Sequence, residues 1–240
     1  MLRMLHRAGE LGDRLQVSVY AVGGFVRDIM LSRPAVEFDD VDLVVEGDGI
    51  AFAKALAQEL GGRVREHRVF MTALIIYHDE NGEEQRLDVA TARLEYYKYP
   101  AALPTVELSS IKMDLFRRDF TINAMALRLN KGQFGCLVDF FGGQSDIQRK
   151  TIRIIHALSF VEDPTRIIRA VRFEQRYGFH ISTQGEKLIK NALSLNLVEK
   201  LSGARILHEL NLIFREDEPE TCLRRLNGLG VLAAIHPSLT

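Results

Sequence analysis

The spacing of hydrophobic residues along this chain changes at residues 142–145 (GGQS). Before that segment, short β-rich runs alternate with apolar residues at helical spacing, which predicts alternating strands and helices. After it, strand signals fade and apolar residues recur at three- and four-residue intervals, which predicts amphipathic helices. The chain therefore divides into a predicted α/β part and a predicted helical part, joined at a glycine-containing hinge.

The same pattern assigns individual elements. The predicted strands are residues 17–22, 41–46, 69–77, 85–89 and 135–140. The predicted helices are a short one from residue 25, then 49–60 capped by Asp48, 110–117, 164–177, 184–193 and 203–214, with a last helix that follows the charged turn 215–220 and runs to residue 240. The Asn81-Gly82 pair predicts a β-hairpin, because both residues tolerate positive φ. The predicted domains are 1–143, 144–214 and 215–240, and we expect the last to be the start of a longer helical domain.

Composition excludes several classes of protein. The 240 residues are 47% hydrophobic and 26% charged, which is typical of a soluble globular chain and excludes a disordered tail. No apolar stretch approaches the roughly 18 residues of a membrane span, and the N-terminus interleaves charge with leucine, unlike a secretory signal. Two cysteines, Cys136 and Cys222, are too few for a disulfide framework or a zinc site, which predicts a reducing compartment, the cytoplasm. A formal net charge of −1 means that any basic surface must be local.

Two aspartates separated by one residue, Asp40 and Asp42, begin the predicted strand 41–46. Residues i and i+2 of a strand face the same side, about 6.6–6.8 Å apart along it. Two carboxylates at that spacing can ligate a pair of divalent cations, as in two-metal phosphoryl-transfer sites. The alternative is a strand end whose carboxylates face solvent. Asp88 places a third carboxylate in an apolar strand, where it is either a further ligand or general base, if the strands are neighbours, or an edge residue facing water.

The Gly23-Gly24 pair follows a strand and opens a helix. Backbone N–H groups of such a turn can approach phosphate oxygens, and a helix N-terminus favours negative charge. Arg27 stands where a dinucleotide-binding fingerprint has its third glycine, and the chain has no Walker lysine, so neither of those sites is present. An ordinary tight turn is the alternative interpretation.

Arginines accompany two further motifs. Arg117 and Arg118 precede Asp119 and are either a solvated helix end or a clamp for phosphate or ribose, because guanidinium donors match phosphate bidentately. Asp163 is a good helix N-cap ahead of Pro164. The helix that follows carries a stripe of four arginines, Arg166, Arg169, Arg172 and Arg176. That stripe predicts an anionic partner, with a plain solvent face as the alternative.

Five of these blocks occur in a fixed order: 23–28 (GGFVRD), 40–42 (DVD), 117–124 (RRDFTINA), 139–147 (DFFGGQSDI) and 162–166 (EDPTR). Together they resemble the class II tRNA nucleotidyltransferase and bacterial poly(A) polymerase family of the polymerase-β-like superfamily. The resemblance implies an α/β head with a small mixed sheet, then an all-helical neck and the start of a helical body. It also implies transfer of a nucleotide from an NTP to an RNA 3′-hydroxyl, with release of pyrophosphate.

The resemblance further implies residue roles. Asp40 and Asp42 would hold Mg²⁺, with Asp88 as a third catalytic carboxylate. The implied nucleotide-binding residues are Gly23, Gly24 and Arg27 for the triphosphate, Arg118 and Asp119 for the ribose, Asp163 and Arg166 for the base, Arg169 near the triphosphate, and Asn123.

Products differ within the family: CCA, CC only, A only or poly(A) tails. Residues 62–73 look more like the tRNA enzymes, and 45–49 and 91–106 look like long bacterial forms, several of which add only the terminal A. We therefore expect addition of the 3′-terminal A, or CCA, to tRNA, with the tRNA 3′ end, ATP and, for CCA, CTP as partners and no membrane. The alternatives are a poly(A) polymerase and a catalytically silent RNA- or nucleotide-binding module, although a silent module has no need of the Asp40/Asp42 pair.

Overall fold

The computed structural model describes residues 1–32, 41–96 and 105–239, with the backbone alone for residues 95, 96, 105 and 106. These residues form two compact units. The first comprises the described parts of 1–95, 106–118 and 122–144, and the second comprises Asp119–Thr121 and the chain from Ser145, with Tyr96 and Thr105. The observed division thus follows Gln144, and the finer predicted division into head, neck and body stays a prediction.

Eleven strands and eleven α-helices lie within the described residues. The strands are β1 (Ser18–Val22), β2 (Val41–Glu46), β3 (Arg63–His67), β4 (Thr72–His78), β5 (Glu84–Thr91), β6 (Arg93–Tyr96), β7 (Thr105–Leu108), β8 (Ala126–Arg128), β9 (Leu137–Val138), β10 (Thr151–Ile152) and β11 (His180–Ile181). The helices are α1 (Leu2–Leu15), α2 (Gly24–Met30), α3 (Gly49–Leu60), α4 (Ile111–Phe116), α5 (Gly143–Gln148), α6 (Ser159–Glu162), α7 (Thr165–Tyr177), α8 (Thr183–Ser194), α9 (Gly203–Ile213), α10 (Pro219–Gly228) and α11 (Val231–Ile235).

The first unit is built on a seven-stranded sheet in the order β3-β4-β5-β2-β1-β8-β9. The β2–β5 pair is parallel, whereas the other five pairs are antiparallel, so the sheet is mixed as expected. The central strands β1 and β2 are almost entirely buried, which explains their near-continuous apolar sequences. Strands β6 and β7 form a separate two-stranded sheet. The predicted α/β class is confirmed.

Helix α3 follows its sequence signals closely. The Asp48 carboxylate accepts a hydrogen bond from the backbone N–H of Ala51 at 2.9 Å and caps the first turn. Phe52 and Leu56 on its inner face are buried. Gly61 ends the helix at φ 66°, a left-handed conformation that glycine adopts without a steric penalty.

The second unit is mainly helical and surrounds α7. Ile167, Ile168 and Val171 of this helix are fully buried, and α9 and α10 pack against it. The rings of Phe120 and Phe173 meet edge to face with centroids 5.8 Å apart. Strands β10 and β11 pair in parallel here and were not predicted, because each has only two residues. Within the described parts of both units, no helix has the length and apolar character needed to cross a membrane.

Among the other differences from the sequence prediction, three have a clear physical reason. Helix α1 was not predicted, yet its buried Met4, Leu5 and Leu11 lie at helical spacing among charged residues. Strand β3 was also missed, because its residues alternate between exposed and half-buried without an apolar side. The single last helix is wrong: α10 and α11 are separate because Gly230 adopts φ 81° between them.

Two glycines allow α1 to lie directly against the sheet. A Cβ atom on Gly9 would be 1.9 Å from the backbone oxygen of Leu129, and one on Gly12 would be 2.6 Å from Cγ2 of Val19. The backbone of Leu129 cannot move aside to make room for a Cβ atom, whereas a flexible side chain could. The absence of a side chain at Gly9 therefore sets how closely α1 approaches the end of β8.

We expect Gly9→Ala to destabilise the protein by about 1–3 kcal/mol, the usual cost of overpacking, although alanine favours a helix interior by about 1 kcal/mol. Gly132→Ala is the control, because a Cβ there would have no atom within 4 Å. Urea unfolding of both variants measures the difference. A Gly9→Ala protein as stable as the control would contradict this account of the contact.

Candidate functional site

The turn after β1 requires glycine for two independent reasons. Gly23 has φ 73° and ψ −130°, which a residue with a side chain rarely adopts. A Cβ atom on it would also be 2.7 Å from Nη1 of Arg118 and 3.8 Å from Oδ2 of Asp42. The turn therefore lies close to both a guanidinium and a carboxylate.

Arg27 lies on α2 immediately after this turn and is buried. Its Nε and Nη2 atoms donate to the two carboxylate oxygens of Asp28, each at 2.9 Å, and its Nη1 atom donates to Oδ1 of Asn123 at 2.7 Å. A Cβ on Gly24 would be 3.4 Å from Nη2 of Arg27. The structure thus brings Gly24, Arg27 and Asn123 together, and their predicted role in binding a nucleotide stays a prediction.

The two described carboxylates of the predicted catalytic set lie on neighbouring strands. Asp42 of β2 and Asp88 of β5 are register partners in the parallel pair. Both are exposed while the residues on either side of each are buried, so their side chains lie on the same face of the sheet. Adjacent strands are about 4.8 Å apart, which brings the two carboxylates within reach of one cation. Asp40 lies outside the described residues.

This donor set fits a hard divalent cation. Mg²⁺ prefers oxygen ligands and is usually held by one or two carboxylates together with water and substrate phosphates, rather than by a complete protein cage. Asp42 and Asp88 provide such a pair. The described ranges contain no group of three or more His, Cys, Asp or Glu side chains placed to hold a metal.

Asp114, which the sequence interpretation missed, fixes Arg118 in place. It is fully buried on α4 and accepts hydrogen bonds from Nη2 of Arg117 at 2.7 Å and from Nη2 of Arg118 at 3.3 Å. Burial alone would raise the pKa of Asp114, but the charges of Arg118 and Arg117 outweigh it and hold that pKa below its ordinary value of 3.8. The three- and four-residue spacing from Asp114 to the two arginines was the available signal.

In the second unit, Asp119 and Arg169 form a direct ion pair. The Nε and Nη2 atoms of Arg169 donate to Oδ2 of Asp119 at 3.0 and 2.6 Å. Oδ1 of Asp119 accepts the backbone N–H of Phe120 at 2.7 Å. Burial by itself lowers the pKa of Arg169, but Asp119 and Glu209 outweigh it and raise that pKa above its ordinary value. Two predicted nucleotide-binding residues are therefore brought together.

Arg166, the predicted base reader on α7, is buried. Its Nη1 atom donates to Oγ of Ser159 at 2.8 Å and lies 4.0 Å from Oε2 of Glu162. His156 lies nearby, and its pKa is lowered by burial and then by the charge of Arg166, which leaves the imidazole neutral at pH 7. Arg166 is thus held by side chains of the segment that precedes α7.

Asp163 lies just ahead of α7 and lines an open cleft. Its Oδ1 atom accepts hydrogen bonds from the backbone N–H of Thr165 at 3.0 Å, the Thr165 hydroxyl at 2.5 Å and Nη2 of Arg205 at 2.7 Å. The cleft has a volume of about 400 Å³. It is lined by Asp163, Thr165, Arg169, Ala204, Arg205, His208 and Glu209.

The arginine stripe does not form a solvent face, so that alternative is wrong for its buried members Arg166 and Arg172. Nη1 of Arg172 donates to Oε1 of Glu216 at 3.3 Å, and Arg176 donates to both oxygens of the same glutamate at 2.8 and 2.5 Å. The anionic partners of Arg172 and Arg176 are therefore side chains of this chain.

Removing the buried Asp114 carboxylate tests its role in holding the arginines. We expect Asp114→Asn to lower the free energy of unfolding at pH 7 by about 3 kcal/mol, because two arginines lose a buried partner. The folded-state pKa of Asp114 is depressed, so its contribution is present above pH 3.8 and is lost as the pH falls further.

The difference between wild type and Asp114→Asn should therefore narrow below pH 3.8. Urea titrations at several pH values measure it, with the exposed Asp217→Asn as the control. A difference that stays constant down to pH 2 would disprove a stabilising ionised Asp114.

Comparison with known families gives two matches in chain order. Residues 19–153 match the family described as the poly A polymerase head domain. Residues 178–240 match the family described as the probable RNA and SrmB-binding site of polymerase A.

Curated relatives and solved structures are similar over nearly the whole chain. An A-adding tRNA nucleotidyltransferase of Geobacter sulfurreducens is 56% identical over 98% of this chain, and one of Halalkalibacterium halodurans is 41% identical over 98%. The chain spans 26% and 54% of the lengths of these two relatives. A CCA-adding enzyme in an apo form superposes with a TM-score of 0.91 at 46% identity, covering 98% of this chain and 54% of that one. A CCA-adding enzyme in complex with ATP gives 0.86 at 43% identity, covering 98% and 53%.

Proposed function

This chain belongs to the poly A polymerase head domain family, as its resemblance predicted, and we propose that it transfers AMP from ATP to the 3′ end of tRNA, releasing pyrophosphate. One observation carries the proposal. The register of β2 and β5 sets Asp42 beside Asp88 on an exposed face, and the Gly23 turn lies next to Asp42 and Arg118. Paired carboxylates beside a phosphate-binding turn are what phosphoryl transfer requires.

In the first unit, each residue contributes a distinct part. The turn at Gly23 and Gly24 would present backbone N–H groups to phosphate oxygens. Arg118, which the resemblance assigns to the ribose, lies beside Gly23 and would add charged donors next to that turn. Asp114 keeps Arg118 oriented, and Asp28 and Asn123 do the same for Arg27. Fixed donors need no reorganisation as charge develops on the leaving pyrophosphate.

Asp42 and Asp88 would hold the divalent cation, with Asp40 assigned to the same role by the resemblance. A cation there would lower the pKa of the attacking 3′-hydroxyl and neutralise charge on the leaving group. Both carboxylates are exposed and lie on the same face of the sheet.

In the second unit, Asp163 and Arg166 would select the base. A carboxylate accepts hydrogen bonds and a guanidinium donates them. Adenine and cytosine each present an amino donor next to a ring-nitrogen acceptor, which complements that pair. Guanine and uracil present the reverse order at those positions, so they fit poorly. Asp119 and Arg169, which already bind each other, are assigned to the ribose and triphosphate by the resemblance alone.

Addition of a single terminal A is favoured over the other products of the family. Two relatives, 56% and 41% identical, are named A-adding tRNA nucleotidyltransferases. Two solved neighbours named CCA-adding enzymes match at 46% and 43% identity, which is lower than the identity of the first of these relatives. We therefore place addition of CCA second and a poly(A) polymerase third.

Incorporation of labelled ATP or CTP with Mg²⁺ tests this proposal. The acceptors are tRNA ending in CC, tRNA lacking CCA and a generic RNA. We expect one AMP on tRNA ending in CC and no CMP on any acceptor. Use of CTP would make the protein CC- or CCA-adding, and long tails on generic RNA would make it a poly(A) polymerase. ATP binding without incorporation would support the silent binding module.

Asp42→Asn should lower the rate of AMP incorporation by about a hundredfold or more, because the cation loses a charged ligand while the side-chain shape is kept. Glu83→Gln is the matched control, since it removes an exposed carboxylate in the hairpin turn of the same unit. Thermal unfolding checks that both variants fold. Near-normal turnover by folded Asp42→Asn would refute the assignment of Asp42 as a metal ligand.

A further inference from the structure

The hydrogen bonds of Asp163 are distributed unevenly between its two carboxylate oxygens. Oδ1 accepts three, from the N–H and the hydroxyl of Thr165 and from Arg205. Among the described residues, no hydrogen bond reaches Oδ2. The side chain is 21% exposed, at the edge of the cleft next to α7 and α9. One oxygen of this partly exposed carboxylate therefore accepts three hydrogen bonds, while the other accepts none from the described residues.

We propose that Thr165 and Arg205 are positioning residues that reserve Oδ2 of Asp163 as the single acceptor offered to the base, and that they thereby exclude guanine. The inference rests on the proposed function, in which Asp163 reads the base.

The exclusion of guanine follows from donor geometry. A carboxylate with both oxygens available accepts two parallel N–H bonds, as it does from arginine. Guanine offers two such donors side by side, on N1 and on its 2-amino group. Adenine and cytosine offer one amino group next to an acceptor, and uracil offers one ring N–H. Occupying Oδ1 removes the bidentate option that guanine needs and leaves the single bond that adenine uses.

The fold holds Arg205 in reach of Asp163. Arg205 and Glu209 are four residues apart on α9, so they lie on the same face of the helix. Glu209 is buried, with Oε1 3.6 Å from Nη1 of Arg169 and Oε2 3.8 Å from Nη2 of Arg172. These two arginines of α7 anchor α9 one turn beyond Arg205. The position of Arg205 is therefore set by a buried ionic contact.

Thr165 fixes the same oxygen from the other side. It is the first residue of α7 and is buried, so its hydroxyl has little freedom to turn away. Its backbone N–H also donates to Oδ1, at 3.0 Å. The hydroxyl contact at 2.5 Å adds a second bond from Thr165 to the same oxygen. Valine has the same shape without the hydroxyl, and serine keeps the hydroxyl.

The test compares binding of ATP, GTP, UTP and inorganic tripolyphosphate, each with Mg²⁺, to wild type and variants. We expect Thr165→Val and Arg205→Ala each to reduce the ATP-to-GTP affinity ratio roughly tenfold. A change of that size corresponds to the contribution of about one hydrogen bond to a charged group. The ATP-to-UTP ratio and the affinity for tripolyphosphate should stay unchanged. Thr165→Ser should restore the wild-type ATP-to-GTP ratio, and Arg205→Lys should restore part of it.

Matched controls separate positioning from stability. Thr221→Val removes a hydroxyl that bonds the Glu218 carbonyl, and Arg224→Ala removes an exposed ion pair with Glu220, both on α10. Neither should change any ratio. If Thr165→Val or Arg205→Ala weakens all four ligands equally, or lowers only the unfolding temperature, the residues are structural and the inference is wrong.

Asp163→Asn distinguishes failure of this inference from failure of the proposed function. One outcome is that wild type prefers ATP to GTP and that Asp163→Asn abolishes this preference. If Arg205→Ala and Thr165→Val nevertheless keep the preference, Asp163 reads the base without these positioning residues. If wild type shows no preference, or Asp163→Asn retains it, base reading by Asp163 fails and the inference fails with it.

Discussion

The parallel pairing of β2 with β5 is the constraint on which the rest of the candidate site depends. It sets Asp42 opposite Asp88, while the antiparallel pairing of β2 with β1 sets Val22, and hence the Gly23 turn, beside Asp42. Side chains alternate along a strand, so a slip of one residue would move Asp42 to the opposite face of the sheet, where Leu43 and Val45 are buried. Burial of Leu43 and Val45 therefore fixes the register that exposes the carboxylates.

Each unit also contains a buried acid that lies against two arginines. Asp114 binds Arg117 and Arg118 in the first unit, and Glu209 lies against Arg169 and Arg172 in the second. Burying such charges costs desolvation free energy, which close opposite charges offset. In return, each guanidinium is held in one orientation, because its contacts with the acid fix the directions of its remaining N–H donors. We infer that both acids serve binding through the arginines that they hold.

The sequence alone predicts those structural elements that local residue patterns specify. Strand β2, helix α3 with its Asp48 cap and helix α7 were predicted within one residue of their observed ends, because periodicity and capping mark them. The adjacency of Asp42 and Asp88 depended on strand order, which no local pattern specifies. Glu209 and Glu216 lie about 40 residues from Arg169, Arg172 and Arg176, so sequence spacing could not reveal these pairs.

The most direct test of this account is a double-mutant cycle on cation binding, with Mn²⁺ as a spectroscopic substitute for Mg²⁺. Affinities are measured for wild type, Asp42→Asn, Asp88→Asn and the double variant. If the strand register places both carboxylates at one cation site, each single substitution removes most of the binding affinity. The double variant then loses little more than either single variant, which corresponds to a coupling free energy of about 1 kcal/mol or more. Independent, additive losses would show that Asp42 and Asp88 do not share a cation and would contradict the account.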